Sequence, residues 1–423
     1  MANRSAGNST PTSWWQVVGR VILDRNYRAL IVEALLLGIE DGILVPYLAL
    51  FVTQGLNGTP QQAAFIYVPY GVVLVITGLW MSSNSDRSSR RRGLIIVSLV
   101  TSLLARAGLS FTSSYPVAVI LYAVAGFGPF GLIFALLRDT IRSKEDDAES
   151  GAFITTLVRT VYSVGWLIGP VVGGFTMQLT GFRGLFIASS ALILVAVIWA
   201  SLEISDQKSG GQEESPPLGR LSGRDIVLLS LLFLAGILLL SGNTGRASFL
   251  SLYLTSDLHV PISWVSWTFS VAVFAELLLI PIAGRLADRF GAVGVFLIGI
   301  ATQAAYFFVM SMVSNYWLML GLQVVYAFVV ATVSGVGIVF AQTLIGAERT
   351  ALSTSSYLVA EGIAPLLNSA LLGVRAISAD LRGLFVIFGV FACGALLLVS
   401  IMSIVAHRGT AVNPETTEHR IRD

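Results

Sequence analysis

The chain has 423 residues, of which 55% are hydrophobic and 12% are charged, and its formal net charge at pH 7 is +2. A soluble protein of this length needs roughly a quarter of its residues charged to cover its surface, so the composition excludes an ordinary soluble domain. The small net charge does not indicate a nucleic-acid partner. The single cysteine, Cys393, excludes a disulfide within the chain.

A helix needs about 20 apolar residues to cross a bilayer. In chain order, the sequence has twelve apolar runs of suitable length, at 29–52, 61–82, 93–112, 115–137, 151–178, 182–203, 225–253, 262–283, 292–312, 316–343, 351–373 and 382–405. The first run follows a polar N-terminus and has no small-residue cleavage site, so we expect no removable signal peptide. We predict an all-α integral membrane protein with twelve transmembrane helices.

The twelve runs fall into two groups of six. Between the groups lies a polar stretch, 204–224, rich in Gly, Ser, Glu, Lys and Pro, which is typical of a flexible linker. The tetrapeptide Arg-Gly-Leu-Phe that begins at Arg183 recurs at Arg382, 199 positions later. This repeat predicts two similar six-helix bundles with pseudo-two-fold symmetry. The predicted segments are a cytoplasmic N-terminal segment at 1–28, an N-terminal bundle at 29–203, a cytoplasmic linker at 204–224, a C-terminal bundle at 225–405 and a cytoplasmic tail at 406–423.

Lys and Arg residues are enriched on the cytoplasmic side of membrane proteins. With the N-terminus in the cytoplasm, 20 of the 26 Lys and Arg residues fall on the cytoplasmic side, three on the opposite side and three within apolar runs. We therefore predict a multi-pass protein of the cell inner (plasma) membrane with both termini cytoplasmic. We expect a monomer surrounded by membrane lipid.

The eight residues from Gly284 to Gly291 read Gly-Arg-Leu-Ala-Asp-Arg-Phe-Gly and separate two apolar runs. We expect them to form a tight loop at a membrane surface. A degenerate copy lies about two hundred residues earlier, at Gly78 and 86–92. The G-x-L-A-D-R-x-G pattern resembles the motif between the second and third helix of a half in the major facilitator superfamily. The resemblance implies a conformational latch that comprises Gly78, Asp86, Arg87, Gly284, Asp288 and Arg289.

Charged residues deep in the apolar runs are candidates for chemistry. They are Glu40, Asp41, Arg106, Arg159, Arg246, Glu276 and Glu361. A charge inside a bilayer costs at least about 2.5 kcal/mol, so each needs a partner or a water-filled cavity. Four acids and three bases are nearly balanced in charge, so a buried ion pair is an alternative explanation for any single one of these residues. A carboxyl group in a low-dielectric cavity can also bind and release a proton. The proton-coupling candidates are therefore Glu276, Glu40, Asp41 and Glu361.

The three bases have different expected roles. Arg159 is the base expected to matter most, with Glu40 or Asp41 as its partner. Arg106 is expected to pair inward. Arg246 lies near the outer end of a long helix, where its side chain can extend to the membrane surface.

Polar and aromatic residues at mid-helix depth suggest a cavity for a hydroxylated or amphipathic solute. Aromatic rings stack on the apolar faces of sugars, and amides donate and accept hydrogen bonds together. A lone Tyr or Trp is more typical of an interfacial belt or a packed core than of a binding site, whereas an amide facing lipid is unfavourable. The substrate-binding candidates are Arg159, Asn243, Gln323, Asn368, Trp166, Tyr67, Tyr70 and Tyr326.

The fifth apolar run carries a helix-packing motif of small residues. The motif comprises Gly165, Gly169, Pro170, Gly173 and Gly174. Glycines permit close helix contact. The pattern resembles the core of the antiporter motif of exporting members of the superfamily, although Thr156 stands where the longer motif has glycine. This resemblance favours export over import.

Three stretches resemble the bacterial sugar efflux transporter family. They are 79–96, Arg159 with 166–170, and 275–277 with Gln323 and 335–342. The similarity covers roughly residues 30–400 and implies export of sugars and glycosides by proton antiport. Residues of the same type as in that family stand at Arg159, Asn243, Glu276, Gln323 and Gln342. The Glu40–Asp41 pair departs from the family pattern and is similar to the acids on the first helix of multidrug antiporters.

These observations lead to two transport hypotheses. The first is proton-coupled efflux of a sugar, glycoside or related small solute by alternating access, with protons as the second partner. The alternative is a multidrug/proton antiporter that exports amphipathic cations or antibiotics. An enzyme is not expected, because the three histidines form no metal-binding or nucleophile–base pattern and the sequence has no phosphate-binding pattern. We expect no cofactor and no metal.

Overall fold

The computed structural model describes residues 19, 21–85, 91–128, 130–144, 148–205, 222–344, 350–373 and 381–410. The regular structure in these ranges is helical. The helices of the first half are α1 (Arg25–Leu50), α2 (Pro60–Phe65), α3 (Tyr67–Ser85), α4 (Arg91–Leu109), α5 (Tyr115–Ala125), α6 (Phe130–Ser143) and α7 (Ala148–Glu203). Those of the second half are α8 (Gly223–Ser256), α9 (Ile262–Phe290), α10 (Ala292–Met312), α11 (Tyr316–Val330), α12 (Gly337–Leu344), α13 (Thr350–Gly373) and α14 (Leu381–Thr410). We call α1–α7 the N-half and α8–α14 the C-half.

Many of these helices have the length and apolarity of membrane spans. Within the described ranges, eight helical segments are long and apolar enough to cross a bilayer. Two of them include a π-helical stretch, Phe51–Gly55 after α1 and Ala331–Val336 between α11 and α12. The expectation of an all-α membrane protein is therefore confirmed.

Helix α7 is 56 residues long, more than twice the length that a bilayer requires. Gly181 interrupts this helix with φ 65° and ψ −161°, a backbone conformation that residues with a Cβ rarely adopt. A glycine at this position lets the chain turn back. The segments on either side of Gly181 correspond to the separate apolar runs at 151–178 and 182–203.

The Gly284–Gly291 stretch is not a loop. Helix α9 continues through Gly284, Asp288 and Arg289 to Phe290, and the chain turns only at Gly291, where φ is 85°. The predicted loop is wrong because Arg, Leu and Ala are strong helix formers and Arg289 lies favourably in the last turn of the helix.

The boundaries of the predicted segments fall partly outside the described residues. Residues 206–221 of the linker lie outside the described residues. Ser222, which follows them, caps α8 through a capping box with Asp225. At the other extreme, α14 extends to Thr410. Helix α1 begins at Arg25, where Asp24 accepts from two backbone amides. Burial opposes ionisation of Asp24, but hydrogen bonds from Lys144 and those amides outweigh it and lower the pKa of this carboxyl.

The helices share two common ends. At one end, Arg25 donates to Glu203 Oε2 at 3.2 Å, and Arg224 donates to the Val405 carbonyl at 3.4 Å. We call this the Arg25 end. Helix α8 begins at this end and α9 runs back towards it, so Phe290, the last residue of α9, lies there as well.

We call the opposite end the Asn57 end, because Asn57 lies there between the π-helix after α1 and the start of α2. Contacts at this end join the halves. Among the described side chains, Ser369 donates to the Ala64 carbonyl at 2.8 Å, and the rings of Tyr67 and Phe249 lie 6.1 Å apart. Halfway along, Ser270 donates to the Leu167 carbonyl at 3.1 Å.

A seam of glycines joins α1 to α7. A Cβ on Gly42 would lie 2.9 Å from Gly169 Cα and from the Pro170 ring, and a Cβ on Gly165 would lie 2.5 Å from the Leu35 carbonyl oxygen. These separations are shorter than real Cβ contacts, so the two backbones touch and only glycine fits. Gly173 lies against Ile43 of α1 in the same seam, and Gly174 extends it to Ser266 and Tyr47.

Replacement of Gly169 by alanine is expected to destabilise the protein strongly, because the new methyl group would press on backbone atoms of α1. Gly321→Ala is the matched control, since a Cβ there meets nothing within 4 Å. We expect the melting temperature of purified Gly169→Ala to fall by several degrees and that of Gly321→Ala to stay within about a degree, consistent with overpacking costs of about 1–3 kcal/mol. Equal melting temperatures would contradict the seam.

Candidate functional site

The N-half contains a buried charge pair close to its centre. Glu40 of α1 is 1% exposed and Arg106 of α4 is 6% exposed. Arg106 Nε and Nη2 donate to the two oxygens of Glu40, the second at 2.9 Å, and the Ser189 hydroxyl donates to Glu40 Oε1 at 2.6 Å. A bidentate pair with a further donor is strong and well oriented. Glu40 therefore ties three helical segments together.

Asp41 points away from this pair. It is half-buried, and the Tyr162 hydroxyl of α7 donates to one of its oxygens at 2.7 Å. Its other oxygen has no hydrogen-bond partner in the described part of the chain. Tyr70 and Tyr122 interact electrostatically with Asp41, and their rings are stacked with centroids 4.6 Å apart. Asp41 is thus an accessible acid beside aromatic rings.

The C-half contains a different polar cluster, built around Arg246 of α8. Arg246 is 3% exposed; its Nε donates to the Tyr306 hydroxyl at 3.2 Å and its Nη2 donates to Gln323 Oε1. The guanidinium lies 3.8 Å from the Tyr326 ring centroid and 5.3 Å from that of Phe269. The expectation that Arg246 extends to the membrane surface is wrong, because neutral acceptors and aromatic rings hold it in the interior.

Three further charges, from both halves, interact electrostatically but form no ion pair among the described residues. Glu276 of α9 interacts electrostatically with Arg159 of α7 and with Arg246. No ion pair within the described ranges includes any of these three residues. The expected pairing of Arg159 with Glu40 or Asp41 is wrong, because no ion pair within the described ranges joins them: Arg106 pairs with Glu40, and Asp41 accepts from Tyr162 instead.

The amide candidates divide by their contacts. Gln323 is fully buried and its amide donates to the Met319 carbonyl at 2.8 Å, which aims its oxygen at the Arg246 guanidinium. Asn368 donates to the Ser241 carbonyl at 3.0 Å and therefore fastens α13 to α8. Asn243 accepts from a glutamine of α10 at 3.5 Å.

Two of the aromatic candidates, Trp166 and Tyr67, contact rings of the other half. Trp166 lies 6.4 Å from Phe269 across the boundary between the halves, and Tyr67 contacts Tyr122 edge-on at 5.9 Å as well as contacting Phe249. Glu361 belongs to α13, but its side chain lies outside the described residues.

The latch candidates are only partly described. Gly284, Asp288 and Arg289 are exposed near the end of α9, and Gly78 belongs to α3. Asp86 and Arg87 lie outside the described residues.

Sequence reasoning misses two residues of this centre, Tyr162 and Tyr306, which look like ordinary core tyrosines in the sequence. It names Arg246 as a deep charge but expects its side chain to reach the membrane surface. The one available signal was depth: Arg246 lies 23 residues into a 34-residue helix that also carries Asn243.

Membrane-length helices, a polar centre between two halves, and the close glycine contacts define a helical membrane transporter. The family model of the Major Facilitator Superfamily matches residues 30–244 and 232–421. The chain belongs to this superfamily. It is a multi-pass membrane protein that transports a small molecule, not an enzyme.

Three curated relatives are similar over most of their length. Sugar efflux transporter A of Dickeya chrysanthemi is 24% identical over 79% of this chain and 85% of its own length. Sugar efflux transporter B of Salmonella typhimurium is 22% identical over 78% and 84%, respectively. Multidrug resistance protein MdtG of Proteus mirabilis is 23% identical over 67% and 72%.

Solved structures share the fold at low identity. The nucleoside transporter NupG superposes with a TM-score of 0.74 at 14% identity, over 89% of this chain and 98% of that structure. A bacterial homologue of the human lysosomal transporter Spinster, in an inward-facing and unoccupied conformation, gives a TM-score of 0.69 at 15% identity, over 93% and 98%.

The buried Glu40–Arg106 pair predicts a non-additive mutational response. Glu40→Gln or Arg106→Gln alone leaves a buried charge without its partner, which costs about 3–5 kcal/mol. The double variant removes both charges, so its melting temperature should lie well above the value expected from adding the two single effects. Thermal unfolding of the four proteins in detergent measures this coupling. Additive losses would contradict a direct ion pair.

Proposed function

We propose that this protein is a secondary active transporter that exports sugars, glycosides or related small solutes in exchange for protons. The observation that supports it most is the set of Arg159, Arg246 and Glu276, charges from both halves that meet without an ion pair. Charges left in this way inside a membrane protein mark a substrate or proton pathway. The sugar efflux transporters among the relatives supply the substrate class.

The complete architecture that we propose has twelve transmembrane helices in two six-helix bundles, at 29–203 and 225–405. The pairs α2–α3 and α5–α6 each supply one span, α7 supplies two on either side of Gly181, and α11 and α12 supply one together with the π-helix between them. The linker at 204–224 connects the bundles. This arrangement agrees with the superfamily and with the tetrapeptide repeat at Arg183 and Arg382.

We place the Arg25 end in the cytoplasm. The excess of Lys and Arg on that side supports cytoplasmic termini at 1–28 and 406–423 and insertion in the cell inner membrane. Contacts between the halves at the Asn57 end support a conformation closed to the outside and open to the cytoplasm. We propose that the protein works as a monomer in lipid.

Alternating access then consists of rocking the halves about the polar centre. Contacts at the Asn57 end are small and reversible: hydroxyls on backbone carbonyls, such as Ser369 on Ala64, and edge-on aromatic rings. We propose that the latch motif, which comprises Gly78, Asp86, Arg87, Gly284, Asp288 and Arg289, stabilises the opposite, outward-facing state; of these residues, Gly284, Asp288 and Arg289 lie near the cytoplasmic end of α9.

Proton coupling is assigned first to Glu276. Its carboxylate faces two guanidinium groups without contacting either. When it is ionised, it attracts Arg159 of the other half; when it is protonated, that attraction is lost. Proton binding and substrate binding would therefore favour different arrangements of the halves.

A multidrug/proton antiporter is the second candidate, and Asp41 is the observation that favours it. An accessible acid beside stacked tyrosines suits a cationic ligand. The multidrug relative covers a smaller share of this chain than the sugar transporters do. Guanidinium and amide groups on the C-half wall also suit hydroxyl groups better than lipophilic cations.

Transport in proteoliposomes with an imposed pH gradient tests this function. Wild-type protein should drive a labelled alkyl glycoside against its gradient, while an ethidium-type cation should not move. Glu276→Gln should abolish gradient-driven transport, because this amide does not titrate, and should leave glycoside exchange across the membrane largely intact.

Gln178→Asn serves as a matched control, since it changes an exposed amide on α7 and leaves the polar centre untouched. Cation transport without glycoside transport would replace the proposal with the multidrug alternative. Normal gradient-driven rates in Glu276→Gln would remove that residue as the coupling site.

A further inference from the structure

Among the acids of α1, Asp41 is the one whose carboxylate is available to a ligand. Glu40 is held by Arg106 and Ser189, and Glu33 is 0% exposed in the interior of the N-half. Asp41 is half-buried and has one oxygen without a partner in the described ranges.

Several aromatic side chains lie close to this carboxylate. Tyr162 donates to it and in turn interacts by a hydrogen bond with Trp166. Tyr70 and Tyr122 present a stacked pair of rings. The negative faces of such rings attract cations, and the attraction adds to that of a carboxylate.

We propose that Asp41 and these rings form a subsite for a primary ammonium group on the transported sugar, so that amino sugars and their glycosides belong to the substrate class. This inference rests on the proposed function and makes it more specific. The ammonium group binds Asp41 while the sugar hydroxyls reach the Gln323 and Arg246 side of the centre.

The charges that face Asp41 support a cation of charge +1. They come from Glu40 on its own helix and Arg106 on α4, which neutralise each other as an ion pair. The other titratable groups are the phenols Tyr70, Tyr122 and Tyr162 on three neighbouring segments. Ionised Asp41 therefore leaves a net charge of about −1 in this wall, which one ammonium group balances.

The same balance gives a mechanism of exchange. Protonated Asp41 is neutral and does not need a cation. When the ammonium group binds, Asp41 releases its proton to water and the carboxylate pairs with the ammonium. One position is thus occupied by either a proton or the substrate amine, and this competition adds a second exchange step, specific for amines, to the coupling assigned to Glu276.

The geometry favours an amino sugar over a lipophilic cation. A lipophilic cation is best accommodated where the rest of the pocket, beyond the group that binds its charge, is mostly apolar. In the C-half, the polar centre instead contains the Arg246 guanidinium, which donates to the Gln323 amide, and the Asn243 amide. Hydroxyl groups of a sugar satisfy these donors and acceptors.

A matched pair of ligands tests the subsite on the full-length protein. Methyl glucosaminide carries the ammonium group, whereas methyl N-acetylglucosaminide carries a neutral amide in its place. Proton release is measured in weakly buffered detergent solution at about pH 6.5, where the free amine is protonated. Wild-type protein should release about one proton more per bound methyl glucosaminide than per bound N-acetyl compound.

Variants separate charge from shape. Asp41→Asn should abolish this extra proton release and lower the affinity ratio of amine to N-acetyl ligand at least about tenfold. Asp41→Glu keeps the charge and should keep the preference for the amine. An unchanged ratio in Asp41→Asn, or equal proton release with both ligands in wild type, would overturn the subsite.

The two levels of the proposal fail in different ways. If wild type transports the N-acetyl compound but shows no extra proton release with the amine, the subsite falls and glycoside export stands. If wild type neither binds nor transports any glycoside, both fall. Should Asp41→Asn not fold, the wild-type comparison of the two ligands still decides.

Discussion

A charge inside a bilayer must be paired, and the structure depends on which of its charges satisfy this constraint locally. Glu40 and Arg106 satisfy it within the N-half, with a serine hydroxyl as third partner. Arg159, Arg246 and Glu276 do not, although they lie near one another at the boundary of the halves. The first group fixes a bundle, while the second group is left to respond to protons and substrate.

The glycine seam between α1 and α7 supports this division. Backbone contact at Gly42 and Gly169 holds Asp41 and Tyr162 in hydrogen-bond contact two turns or less away. A rigid N-half can then move as one body against the C-half. The contacts across the boundary are sparser and involve hydroxyl groups and ring edges, which separate at low cost in free energy.

Much of this could be predicted from the sequence. Apolar runs and Gly/Pro patterns give the helices and the close packing of α7, since both follow from composition along the chain. The Gly284–Phe290 helix was missed because polar residues between two apolar runs look like a loop, although their helix propensity is high. The partner of a buried charge was also missed: the sequence offers Arg106 and Arg159 equally to Glu40, and only the three-dimensional packing selects Arg106.

The central claim is that the halves close at one end while they open at the other. Spin labels at Leu23 and Phe290 report on the Arg25 end, and labels at Phe111 and Trp317 report on the Asn57 end; all four side chains are well exposed. Distances between the labels of each pair are measured in proteoliposomes before and after the pH gradient is imposed with glycoside present. The account predicts that the Leu23–Phe290 distance shortens while the Phe111–Trp317 distance lengthens. Distances that change in the same direction, or not at all, would contradict it.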